Sequence, residues 1–187
     1  MEGIEQSVKD YLLNVASILI EDIGEKIFEN LKKHILEDMY QPYNIVYLPS
    51  RNAQPSMEFL NAFELTNLKR IANYMSKEIV YNWQQMHTWS EPYYYRDKEG
   101  HIKSGNAPAH QDVWGNDVRE DLFNILRERN ELGCMPNRPV SHYENFWANF
   151  LEDIKNNLKK WIKQSLASYG ITNVIINIDL TELGGDE

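Results

Sequence analysis

The chain has 187 residues, the size of one domain, and its 42% hydrophobic and 12% aromatic content is enough to bury a core, which excludes wholesale disorder. Its formal net charge of −9 argues against sequence-specific nucleic-acid binding, because proteins hold phosphate backbones by displacing counterions with Lys and Arg. An acidic wall beside passing DNA is still compatible with that charge.

One cysteine, Cys134, rules out an intramolecular disulfide and points to a reducing compartment. Met1 to Asp10 carries Glu2, Glu5 and Asp10 and has no basic n-region, so no signal peptide is expected. The longest nearly apolar run, Val15 to Ile20, falls far short of the ~20 residues that cross a bilayer. The expectation is a chain made in the cytoplasm, soluble and away from membranes.

In chain order, residues 4–39 read as a long amphipathic helix. Ile4, Val8, Tyr11, Leu12, Val15, Ile18, Leu19, Ile23, Ile27, Leu31 and Ile35 recur at three- and four-residue steps, which places them on one stripe. Asp22–Lys26 and Glu29–Lys33 are possible i,i+4 pairs on the other side. Gly24 marks a possible kink or break. At ~1.5 Å per residue the span exceeds what a compact domain of this size needs, so part of it is expected to pack on something else.

Tyr40-Gln-Pro42-Tyr43 ends this helix. Tyr43–Leu48, Phe59–Leu65 and Lys77–Trp83 read as strands, separated by a polar loop at Pro49–Pro55 and an ambiguous stretch at 66–76. From Gln84 to Asn116 periodicity vanishes, giving a long irregular insertion well beyond the usual loop length, hence functional or mobile. A short helix follows, with Asp117 and Glu120 as its capping pair and Val118, Leu122, Ile125 and Leu126 as its apolar face.

Ser141-His-Tyr-Glu144 is a second capping box, opening the clearest helix of the chain. Phe146, Trp147, Phe150, Leu151, Ile154, Leu158, Trp161, Ile162, Leu166 and Tyr169 share its apolar face, and Gly170 stops it. Ile171–Leu180 alternates Val174, Ile176, Ile178 and Leu180 as a strand does, and 181–187 reads as a flexible acidic tail. The fold expected is α+β in one domain over 1–187: a small antiparallel sheet packed by a long N-terminal helix and a C-terminal amphipathic helix.

Chemistry is sparse. Of His34, His87, His101, His110 and His142, no two have His-x3-His spacing, and His-Glu-x-x-His is absent. His87, His101 and His110 with Asp112 could meet around a metal in the long insertion, although solvated or hydrogen-bonded histidines are the plainer reading. Cys134 near His142 could form a thiolate pair, yet any half-buried cytosolic cysteine looks the same. Carboxylate doublets such as Glu152-Asp153 are ordinary among 28 acids. No phosphate-cradling glycine loop occurs. The expectation is no catalytic residue, no metal and no cofactor.

Trp89, Tyr93, Tyr94, Tyr95 and Trp114 flank the insertion and are the candidate interaction residues, since Tyr and Trp offer large rigid area with a polar tip. The competing reading is that they fold back to close a small core beneath the loop.

The order of elements also carries a resemblance. It runs from the long helix and Tyr40-Gln-Pro42-Tyr43 turn through Phe59-Leu60-Asn-Ala-Phe63, Gly115-Asn-Asp-Val-Arg-Glu-Asp-Leu122 and Arg138-Pro139 to Leu166-x-x-x-Gly170-Ile171. This resembles the head–tail joining or tail-completion proteins of long-tailed bacteriophages, while Ser50–Pro55 departs from the turn usual before their second strand. The resemblance implies a structural virion component in the phage neck: a ring of roughly six copies joining the head connector to the tail tube around the DNA passage. Its partners would be itself and neighbouring neck or tail proteins. A bacterial binding or immunity-type module acting through the aromatic loop is the alternative, and a small metal-dependent hydrolase ranks below it.

Overall fold

In a computed structural model of the chain, the described residues are 2–40, 57–71, 74–87, 93–96, 98–105, 116–128 and 146–178. The expected strand at Tyr43–Leu48, the cysteine at Cys134 and the capping box at Ser141–Glu144 lie outside them.

The fold is α+β. Helix α1, Glu2–His34, continues as a π-helical stretch, Ile35–Tyr40, so the N-terminal helix is unbroken across Gly24. The glycine serves packing rather than bending. A Cβ on it would stand 2.9 Å from Cδ of Lys77, so its bare backbone makes room for that side chain.

Next come α2 (Glu58–Asn61), β1 (Phe63–Leu65), β2 (Lys69–Ile71), β3 (Tyr74–Ser76) and β4 (Ile79–Tyr81). The expected strand at Phe59–Leu65 is therefore half helix, and the ambiguous stretch holds a hairpin. A single 3₁₀ turn, Trp83–Gln85, replaces the end of the expected Lys77–Trp83 strand.

The reading of 84–116 as irregular also needs correction, because β5 (Tyr93–Arg96) and β6 (Ile102–Gly105) form an antiparallel hairpin inside it. Gly100 in that hairpin has φ +89°, which a glycine adopts without Cβ strain. Alternation is poor there because polar residues occupy much of β6, so a periodicity search passes over it.

Helices α3 (Leu122–Glu128) and α4 (Phe146–Ser168) complete the described elements. Asp117 lies five residues before the start of α3 and is not its cap. Its carboxylate instead accepts the Arg119 backbone N–H at 3.0 Å. The end of α4 is the expected one. The Ile171 N–H donates to the Leu166 carbonyl and the Gly170 N–H to that of Ala167, with Gly170 at φ +76°: a Schellman stop.

The strands make three separate two-stranded ladders, β1–β4, β2–β3 and β5–β6. Two compact units result. The first is Met1–Leu31, Leu65–Val80 and Ala148–Glu187, and the second is Lys32–Glu64 and Tyr81–Trp147.

In the first unit, Ile23 and Leu31 of α1 and Phe150, Ile154 and Leu158 of α4 are buried. Polar bridges supplement them: Asn30 Nδ2 donates to Asp153 Oδ2 at 3.0 Å. The Asp22 carboxyl is held below its usual value by the Lys26 ammonium first and by the Ser165 hydroxyl of α4 second.

The second unit is cored by rings. Phe59 meets Phe63 edge-on at 5.2 Å, Phe63 lies 5.1 Å from Tyr81 and 5.2 Å from Phe123, and Phe123 meets Trp147 at 5.4 Å. Phe146, 0% exposed, stands edge-on to Phe59. Edge-to-face geometry at these spacings adds to the area burial of each ring.

Candidate functional site

Along α1 the apolar stripe predicted from the sequence changes character. Ile35 and Leu31 are buried, Ile27, Leu19, Ile18 and Val15 are half-buried, and Leu12, Tyr11, Val8 and Ile4 are exposed, Ile4 by 72%. The helical period is intact throughout. The first three turns therefore carry an apolar face with water against it, the kind of patch that marks an interface.

Two further strips of exposed apolar surface belong to the same unit. The β2–β3 hairpin shows Ile71 and Tyr74, which face each other across the ladder, and the segment after α4 shows Ile175. Among the described residues, Ile4, Val8, Tyr11, Leu12, Ile71, Tyr74, Val80, Tyr169 and Ile175 of the first unit are exposed large hydrophobics, against Ile102 in the second. Sequence reasoning missed Ile71 and Tyr74. Neither Lys69-Arg70-Ile71 nor Tyr74-Met75-Ser76 alternates, so no strand period marks the hairpin in the sequence.

The hairpin is held to α1 by polar contacts. Ser17 Oγ donates to Met75 Sδ at 3.2 Å. The Lys77 ammonium, its side chain 7% exposed, pairs with Glu21 and lies 3.6 Å from Glu25. A buried ammonium needs such partners, so this contact sets where the hairpin sits along the helix.

Of the candidate interaction residues, Tyr93, Tyr94 and Tyr95 form β5, with Tyr93 opposite Gly105, Tyr94 opposite Ser104 and Tyr95 opposite Lys103. Their side chains, and Trp89 and Trp114 altogether, lie outside the described residues.

A polar cluster occupies the second unit near the 3₁₀ turn. Glu58 accepts the His87 backbone N–H at 2.9 Å and faces its Nδ1 at 2.8 Å. Arg119 stacks 5.3 Å from the Trp83 ring centroid and donates to both Asp117 oxygens, which hold its pKa above the usual guanidinium range, and also to the Met86 carbonyl. The Tyr81 hydroxyl donates to the Arg119 carbonyl at 2.7 Å. These bonds tie the backbone of residues 83–87 to α2 and to the approach to α3, and among the described residues they bring no nucleophile alongside His87.

The histidines named above as possible ligands do not converge where they are described. His87 lies on Glu58, His101 lies 3.9 Å from Glu99 in an exposed turn, and His110 and Asp112 are outside the described residues. No group of three potential ligands occurs among the described residues, and no described helix is long and apolar enough to cross a membrane. No family model, curated protein or solved structure matches the chain.

Proposed function

We propose that the chain is a non-catalytic, structural component of a phage neck, assembled into a ring of roughly six copies that joins the head connector to the tail tube. The observation carrying this reading is the apolar stripe at Ile4, Val8, Tyr11 and Leu12, left uncovered at one end of a helix roughly 50 Å long. A neighbouring copy or neck protein is what such a surface accommodates. The order of elements, with its resemblance to head–tail joining proteins, supplies the neck as the place. The net charge of −9 suits a wall past which DNA slides, since basic walls would hold it.

Deleting the gene from the genome that carries it and imaging the particles tests the proposal. Filled heads and finished tails that fail to join are expected. Intact, infectious particles from the deletion strain would refute it.

A further inference from the structure

The segment after α4 has the residues of a strand and no ladder. Burial alternates along it, with Val174, Ile176 and Ile178 half-buried and Ile175 and Asn177 exposed, which is the period of an extended chain. Ile175 is 91% exposed. Among the described residues, Thr172 to Ile178 make no backbone–backbone hydrogen bond, although Val and Ile fill four of these seven positions. A run of unpaired N–H and C=O groups on a β-branched segment is a template for strand addition.

The same unit carries a matching edge. β2 pairs with β3 on one side, and its ladder has no second neighbour among the described residues. Lys69, Arg70 and Ile71 are all exposed, Ile71 by 70%. The edge thus carries two basic residues and an apolar end, with the Lys69 ammonium 3.2 Å from Glu78 of its own chain. The residues following Ile178 in sequence include Asp179, Glu182, Asp186 and Glu187 and no lysine or arginine.

We propose that residues 174–178 of one copy add as an antiparallel strand to the free edge of β2 in a second copy, with Ile175 opposite Ile71. In that register Asn177 falls opposite Lys69 and Ile176 opposite Arg70. Asp179 becomes the diagonal neighbour of Lys69 on the same face, a favourable cross-strand charge pairing. Main-chain bonds supply the affinity, while the isoleucine pair and the charge pairing set the partner. Donor strand and acceptor edge are different surfaces, so the contact is head-to-tail and propagates around a ring. The inference rests on the self-assembly part of the proposed function and is independent of the phage setting.

Two single variants made in a Cys134→Ser background test it, one carrying Ile71→Cys and the other Ile175→Cys. Neither can cross-link within itself, and both positions are exposed enough to leave folding intact. Mixed under mild oxidation, they should form a disulfide heterodimer about tenfold faster than a Val8→Cys and Ile175→Cys mixture, because strand pairing raises the local thiol concentration. The backbone groups of Lys69 and Ile71 are turned to β3, so Arg70 faces the free edge and Ile176 opposite it is the ladder donor. Ile176→Pro added to the donor should reduce the rate to that of the control, and about 0.5 M salt should slow it severalfold.

Equal rates for the two mixtures overturn the proposal. Native mass spectrometry of the wild-type chain at rising concentration then separates the two failures. Oligomers without the 71–175 link leave self-assembly standing with another surface, whereas neither oligomers nor link removes both. Strong linkage with no effect of Ile176→Pro also overturns it, since the contact would not be a ladder.

Discussion

Each of the two units of this chain is held by its own kind of contact. The second is cored by rings, Phe59, Phe63, Tyr81, Phe123, Phe146 and Trp147, touching edge-on or tilted. The first holds a long helix to a hairpin and to α4 with aliphatic contacts and directional polar ties: Lys77 to Glu21 and Glu25, Asn30 to Asp153, Asp22 to Lys26 and Ser165. Ring packing contributes large burial energy per residue. Polar ties contribute less and tolerate only one alignment. The first unit is also where most of the exposed large hydrophobic residues among the described ones lie.

The contrast breaks or sharpens under substitution. Phe63→Ala, which opens the ring cluster at its centre, should cost about 3–5 kcal/mol in urea denaturation. Trp161→Ala on α4 should cost about half as much, because that residue is only half-buried. Equal losses would mean that α4 matters to stability as much as the ring core does.

Lys77→Met should cost about 1–3 kcal/mol, since it removes a buried charged donor and leaves Glu21 and Glu25 without their shared ammonium. Faster amide exchange in β2–β3, with α4 unchanged, is the expected signature. A loss confined to α4 would show that the clamp works elsewhere.

A smaller effect belongs to Asp22. Its folded pKa is depressed, so its contribution is present above the usual value of 3.8 and is lost as pH falls through the lower folded value. The carboxylate is partly exposed and screened, so Asp22→Asn should cost about 0.5 kcal/mol near neutrality. The melting curves of variant and wild type should converge once the pH has fallen below the depressed folded value. A gap that persists there would mean that the shape of the side chain matters and its charge does not.

The smallest change in stability, with the opposite consequence for assembly, is expected on the bare turns of α1. Val8→Lys and Leu12→Lys should each alter stability by less than about 0.5 kcal/mol, because both positions are exposed. The double variant should nevertheless lose oligomers that wild type forms at high concentration by analytical ultracentrifugation. Unchanged association would exclude this stripe as an interface.

The sequence by itself determined the two long helices and the class of fold. A stripe from Ile4 to Ile35 at three- and four-residue steps and another from Phe146 to Leu166 are local signals, written by a period that needs no distant partner. Gly170 at the end of α4 was equally legible, because a Schellman stop depends on a glycine at one position. The apolar alternation of 171–180 was legible too, but not the absence of a ladder for it, which depends on what lies alongside.

Tertiary structure decided the rest. Gly24 is a kink signal until Lys77, 53 residues away in sequence, is seen lying across it. Lys69, Arg70 and Ile71 are too short a run to announce a strand, and become an edge only through pairing with Tyr74–Ser76. Which end of the α1 stripe is covered was likewise invisible in the sequence. Periodicity marks the face of a helix, whereas burial depends on the elements that other parts of the chain bring to that face.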